Sequence, residues 1–296
     1  MTALSSLRPN QDTINLVAGL RGTWYGSYAM CCCPAHNDRT PSLSIRQGMR
    51  GILVHCFAGC QPRDVLRALR HISRVPDVSA LHWRDATTWH EATAWHEATT
   101  RKQAQRLWDQ AQEVNGTLAE RYLANRNLPV NLPDIRFLPR CPLGPKPRTI
   151  FPPALIVAVR EARAIVAVQR IILDPATSQH RGKFLLGACG QGAWQQLLSG
   201  RTLAIAEGFE DAAAFTQIHG ISCWAALGAA RLPNLRLPDN IETLLIAEDN
   251  NGPGTAAAAK AMIAYARPGL VIERRTPAPA ADWAAVNEAL STLRHG

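Results

Sequence analysis

Three cysteines and two histidines fall within "CPAHNDRTPSLSIRQGMRGILVHCFAGC", residues 33–60, and no other feature narrows the fold of this chain as much. Cys33-x2-His36 and Cys56-x3-Cys60 form two close pairs separated by 19 residues. Zinc takes four thiolate or imidazole ligands tetrahedrally, and pairs placed at two chain turns let a small β-ribbon close around it. Gly59 permits the tight turn that brings both thiolates of the second pair inward. Cys31 and Cys32 compete with Cys33, but only Cys33 leaves a two-residue gap to His36. His55 competes as well, and strand alternation points it away from Cys56. The other reading is buried thiols without metal. The expected role of the zinc is structural, because all four positions are protein ligands.

The rest of the composition sets the compartment and the partner. The 296 residues suffice for about two domains. Apolar residues make up 47%, enough for a core. No apolar run has membrane-spanning length and no signal-peptide pattern opens the sequence, so a cytoplasmic protein without a membrane partner is expected. Eight cysteines in a reducing compartment favour free thiols or metal over disulfides. The net charge of +9 is uneven: residues 1–72 carry eight Lys and Arg against three Asp and Glu, and residues 101–200 carry fourteen against six. Residues 201–296 carry eight against ten. Two basic blocks suit a phosphate backbone, and an acidic block suits hard divalent cations. Ordinary solvated surface charge is the alternative.

Four segments are expected: 1–75 a zinc ribbon, 76–100 a linker, 101–200 a basic mixed region and 201–296 a parallel α/β domain. In the first, strands at 43–45 and 52–55 precede a helix at 62–69. "WHEAT" occurs twice, at 89–93 and 95–99, and reads as linker or helix start; His90 and His96 are then linker residues rather than ligands. Residues 101–125 are helical with a break at 115–117, where Thr117 and Glu120 can form a capping box. The stretch 129–153, with eight prolines, reads as a surface connector. Strands follow at 154–159, 164–173 and 183–187. In the last hundred residues apolar strands alternate with helices, which indicates a parallel sheet covered on both faces.

"LAIAEGFEDAAAF" puts Glu207 and Gly208 at a strand end with Asp211 opening the next helix, and "LLIAEDNNGPGTAAAA" puts Asp249, Asn251 and Gly254 at another. Asp282 lies in "ADWAAV" after a further strand. Ligands gather at the carboxyl ends of parallel strands, and adjacent strands would converge these acids on one point, as phosphoryl-transfer metals require.

"CPAHNDRTPSLSI" followed by "VHCFAGC" resembles the Cys-His-Cys-Cys zinc ribbon of bacterial DnaG-type primases, and more closely the version in primase-like proteins of phages and mobile elements. The usual ribbon closes with Cys-x2-Cys, where this chain has Cys-x3-Cys. The acidic strand ends are similar to the Toprim domain that those primases share with topoisomerases: Glu-Gly at one strand end, Asp-x-Asp at another, often a further Asp near the C-terminus. Asn251 stands at the second Asp position, and Ala285 stands where an Asp often follows Asp282-Trp283. "AVQRIILDP…GKFLLG" looks like the basic part of the primase core, which implies that Arg170 and Lys183 face the incoming nucleotide.

The resemblance implies a primase. Glu207 and Asp249 would be catalytic and, with Asn251 and Asp282, would hold Mg²⁺ or Mn²⁺. Arg170 and Lys183 would bind nucleoside triphosphates, and Cys33, His36, Cys56 and Cys60 would hold Zn²⁺. The ribbon would contact single-stranded DNA, with Trp24, Tyr25 or Phe57 as stacking surfaces unless they are core. No Walker A motif is present, so a helicase would be a separate partner. The alternatives are a non-catalytic DNA-binding accessory protein, which Asn251 supports, and a Toprim nuclease.

Overall fold

A computed structural model describes residues 9–25, 28–38, 41–48, 51–71, 86–144 and 149–295. They divide into two compact units, one within Met1–His90 and Leu143–Ile150, the other within Glu91–Pro142 and Phe151–Gly296. No helix among the described residues is long and apolar enough to cross a membrane.

The first unit opens with helix α1 (Gln11–Gly19), whose N-cap Asn10 accepts a bond from Thr13 N at 2.9 Å. Strands β1 (Thr23–Tyr25), β2 (Tyr28–Cys31), β3 (Leu43–Gly48) and β4 (Gly51–Cys56) form an antiparallel sheet in that order. Helix α2 (Pro62–Arg70) follows, with proline in its first turn as expected. Val65 and Leu69 of α2 join Leu16, Val17, Ala29, Leu43, Ile45 and Val54 in a small core.

The second unit takes in helix α3 (Ala86–Gln110) from Glu91 onward, followed by helix α4 (Leu118–Asn125). The side chains of residues 86–96, including both histidines of the duplicated motif, lie outside the described residues, as does that of Tyr25. Thr117 caps α4 by accepting from Ala119 N at 3.2 Å. Glu120 accepts from Gly116 N rather than from Thr117 N, so the expected capping box is displaced by one residue.

Strands β5 (Ile135–Leu138), β6 (Ala154–Glu161), β7 (Ala164–Leu173) and β8 (His180–Gly187) form an antiparallel sheet in chain order. The proline-rich stretch is therefore not only a connector. Its "IRFL" pairs with β6, and Ile135, Phe137 and Leu138 are buried. The prolines stand outside those four residues and leave every ladder N–H in place.

The last part alternates as its pattern predicts: β9 (Thr202–Ala206), α5 (Phe209–His219), β10 (Cys223–Ala225), β11 (Thr243–Ala247), α6 (Gly252–Tyr265), β12 (Val271–Arg275) and α7 (Trp283–His295). The sheet is parallel, in the order β10-β9-β11-β12. Successive side chains go to opposite faces. Ala204, Ala206, Leu245 and Ala247 pack with α5 and Trp283, whereas Leu203, Ile205, Leu244 and Ile246 pack with Ala257, Ala258 and Ala261 of α6. The chain is thus the mixed α/β protein its sequence indicates, with helices on both faces of a parallel sheet. Trp194 and Ala225 exchange backbone hydrogen bonds at 3.0 Å, and Trp194 lies in the core that the two sheets of the second unit share.

Candidate metal centres and active site

β2 leads into Cys33 and the turn carrying His36, and β4 ends at Cys56 before the turn to Cys60. The four ligand atoms all lie within 4.8 Å of one another. His36 Nδ1 is 3.2 Å from Cys60 Sγ and 3.9 Å from Cys56 Sγ. Zinc bond lengths imply ligand-to-ligand edges of about 3.6 Å, so small side-chain rotations close this set around one ion. Gly59 has φ +93° and its N–H donates to Cys56 O at 3.1 Å, which makes the turn that an added Cβ would strain.

Cys31 is buried in the core, paired across from Leu43. His55 is exposed and stacks edge-on with Phe57 at 4.7 Å. Neither belongs to the ligand group, nor does Cys32. Phe57 is 60% exposed, whereas Trp24 packs on the core.

Asp38 was not legible as part of this centre. Its Oδ1 faces His36 Nε2 at 3.7 Å, while Oδ2 accepts from Cys33 N at 2.7 Å and Ser42 Oγ at 2.5 Å. One carboxylate thereby orients the histidine and ties the first ligand turn to β3, the arrangement that fixes tautomer and basicity in zinc sites. Its only signal was an acid two residues after a ligand histidine.

The second centre lies at the carboxyl ends of β9 and β11, whose register pairs Ala206 with Ala247. Glu207 follows the first strand immediately. On the second, Glu248 intervenes and is held by Arg274 of β12, so Asp249 is the acid that turns toward Glu207. Burial pushes the Asp249 carboxyl up to about 6, with the charges of Glu207 and Asp282 adding to it. Burial likewise pushes Asp211 up to about 7, helped by Asp249 and Asp282. Four carboxylates therefore share one field. Asp249 Oδ1 is buried and has no hydrogen-bond donor among the described residues. An acidic cluster whose mutual repulsion outweighs the charge of Lys183, with an orphaned oxygen, fits a divalent cation, whose charge would relieve both.

Asp211 completes this set, although the sequence marked it only as opening a helix. Its Oδ1 accepts from Ala284 N at 3.1 Å, and its Oδ2 fills the space over Gly208, where a Cβ would stand 2.4 Å away. A side chain at position 208 would therefore push the Asp211 carboxylate out of this place. Asp282 caps α7, accepting from Ala285 N at 2.8 Å. Asn251 caps α6: its Oδ1, expected on the metal, accepts from Gly254 N at 2.8 Å. That bond takes one of the two lone pairs of the oxygen.

The two basic residues expected together are separated. Lys183 pairs with Ile171 across β7 and β8, whereas Arg170 pairs with Phe184, so their side chains leave opposite faces of the sheet. Lys183 Nζ donates to Glu210 Oε2 at 2.7 Å, and its charge draws the Asp249 carboxyl down. Arg170 Nη1 donates to Pro142 O at 3.0 Å instead. The lysine thus joins the carboxylate centre and the arginine does not.

The raised carboxyls have a consequence for stability. A carboxyl whose folded pKa exceeds its ordinary value binds more protons in the native state, so stability falls as pH rises from about 4 to about 7. In buffer without added divalent ions, the unfolding midpoint is expected to drop between pH 5.5 and 7.5 by more than in Asp211→Asn. Magnesium at pH 7.5 should recover part of that drop. Calorimetry at the two pH values checks this, and equal pH dependence in wild type and variant would refute the shared field.

Residues 202–290 match the Toprim domain, and residues 98–196 match a domain of unknown function, DUF7146. No curated protein sequence matches this one. Among solved structures, the chain is similar to a DNA primase domain from Pseudomonas aeruginosa, with 14% identity, 66% of this chain and 77% of that chain covered, and a TM-score of 0.48. It is also similar to the Aquifex aeolicus primase comprising zinc-binding and RNA polymerase domains, with 12% identity, 97% and 83% covered, and a TM-score of 0.45. The RNA polymerase domain of Mycobacterium tuberculosis primase DnaG gives 15% identity, 71% and 83% covered, and a TM-score of 0.41.

Proposed function

We propose that this chain, whose residues 202–290 match the Toprim domain, synthesises short RNA primers on single-stranded DNA from nucleoside triphosphates. The observation that carries the reading is the convergence of Glu207 and Asp249, at the ends of adjacent parallel strands, with Asp211 in the first turn of α5 and Asp282 at the start of α7, and with Lys183 close enough to act on the same field. In this reading Glu207, Asp249 and Asp282 would hold Mg²⁺ or Mn²⁺, and Asn251 would add a neutral oxygen. The ion supplies charge neutralisation on the reacting phosphate. Lys183 places a positive charge against the triphosphate, where charge builds as the bond to the leaving pyrophosphate breaks. The attacking group is a primer 3′-hydroxyl and the new bond is to the α-phosphorus. The four ribbon ligands hold zinc as a structural ion, and exposed Phe57 offers a stacking surface for a template base. A separate replicative helicase would open the template.

Incorporation of labelled nucleotides on single-stranded templates, with Mg²⁺ or Mn²⁺, tests the reading directly. A product that needs both template and metal supports it, whereas cleavage of the template would assign a nuclease. Asn251 favours a second reading, a DNA-binding accessory protein, because it contributes no charge to the centre and its oxygen already caps α6.

Binding to single-stranded DNA should be strongly salt-dependent, given fourteen Lys and Arg against six acids in residues 101–200. If about four phosphates are neutralised, affinity should fall roughly fifty-fold between 50 and 200 mM salt. Fluorescence anisotropy across a salt titration measures this, and a flat response would remove the electrostatic part of the proposal.

A further inference from the structure

Glu210 is a carboxylate with 2% exposure in the first turn of α5, among Phe209, Ala212 and Ala213. A buried charge in apolar surroundings is costly unless its oxygens are all engaged, and an apolar residue would fill the same space more cheaply. Both oxygens are engaged. Tyr122 Oη, fully buried on α4, donates to Oε1, and Lys183 Nζ on β8 donates to Oε2 at 2.7 Å. Three elements, two of them in the 98–196 match and one in the 202–290 match, thus meet at one carboxylate.

Packing alone does not require this arrangement, and its consequence lies at Lys183. The lysine side chain is 34% exposed and leaves the sheet toward the acidic centre. Unanchored, its four-carbon stem would sweep many rotamers, and a phosphate ligand would have to immobilise it. Glu210 takes one of three ammonium donors, which leaves capacity for phosphate oxygens. Tyr122 fixes the plane of the carboxylate, so the second oxygen stays aimed at the lysine.

Resting on the primase reading above, we infer that Glu210 and Tyr122 are positioning residues that hold the Lys183 ammonium for the triphosphate of the incoming nucleotide. The probes are a fluorescent ATP analogue with Mg²⁺, and Mn²⁺ alone followed by electron paramagnetic resonance, both on the full chain. Lys183→Met and Glu210→Gln are expected to weaken nucleotide binding about tenfold, as for loss of a charge-assisted contact. Tyr122→Phe should weaken it about threefold, as for one neutral hydrogen bond. Mn²⁺ binding without nucleotide should be no weaker in any of them.

Glu210→Gln can fail to fold, because it leaves a partly buried lysine without its counter-charge. Lys183→Met/Glu210→Met removes both charges together. It should unfold near the wild-type temperature yet bind nucleotide as weakly as Lys183→Met. Wild-type nucleotide affinity in Tyr122→Phe and the double variant would overturn the positioning role. Parallel loss of Mn²⁺ and nucleotide in the variants would reduce the triad to a structural tie and overturn it too. A wild-type chain that binds no nucleotide would remove the primase reading, and this inference with it.

Discussion

Glu207→Gln is expected to lower nucleotide incorporation by about a thousandfold or more, the scale seen when one charge-stabilising group is removed from a preorganised centre. The substitution keeps the side-chain shape and the half-buried position at the end of β9 and deletes only the charge. Folding should survive, because Glu207 is one source of the repulsion that, after burial, pushes Asp249 upward. Removing that repulsion should leave the unfolding temperature unchanged or slightly raised. Binding of single-stranded DNA, assigned to the basic block at 101–200, should be unaffected. The measurement is single-turnover incorporation together with anisotropy on the same preparation. Full activity in the variant would place the chemistry elsewhere.

Asn251→Asp is the complementary change. Asp and Asn are equally good N-caps, so the bond to Gly254 and the start of α6 survive while the centre gains a charge. Less metal should then suffice for half-maximal incorporation. No incorporation by wild type or Asn251→Asp, with either metal on any template, would favour the accessory-protein reading.

The sequence made some parts of these centres legible for physical reasons and hid others. Ligand pairs at close spacing are local, so Cys33, His36, Cys56 and Cys60 could be chosen over Cys31, Cys32 and His55 by gap length and alternation alone. Strand-end acids are local too, which is why Glu207 and Asp249 stood out. What a side chain does once there depends on neighbours far along the chain. Arg170 and Lys183 lie on one hairpin, but which face each takes depends on the pairing of β7 with β8, and that register is not written in either strand.

Asp38 works through near neighbours, Cys33, His36 and Ser42, but nothing in their spacing marks it, whereas Glu210 acts through Tyr122, 88 residues away. Asn251 shows a local competitor winning, since an Asn before a Pro-containing first turn is also an N-cap. β5 was obscured by its proline flanks, because a four-residue strand carries too little alternation to outweigh them.

The ribbon is expected to depend on its metal for its fold, and Cys56→Ser should lose both. The first unit has a small apolar core, built chiefly from Leu16, Val17, Leu43, Ile45, Val54, Val65 and Leu69. A core of that size is marginal by itself, whereas a structural zinc contributes about 10–16 kcal/mol of apparent binding energy that is also folding energy. Cys56 sits at the junction of the two. It is buried, it ends β4 opposite Leu43, and its Sγ is 3.7 Å from Ser42 Oγ, the group that Asp38 also holds. Protein purified without added metal should carry one zinc per chain by elemental analysis. Cys56→Ser should carry almost none, and limited proteolysis should then cut within residues 1–70 while leaving 98–290 intact. Cys32→Ser and His55→Ala should keep a full equivalent, because neither belongs to the ligand group. Asp38→Ala should still bind zinc, with affinity lowered about ten- to a hundredfold, as for loss of an outer carboxylate partner. A full equivalent of zinc retained by Cys56→Ser would mean that the ion is held by another set, and the fold of the ribbon would then need a different source of stability than the four ligands named here.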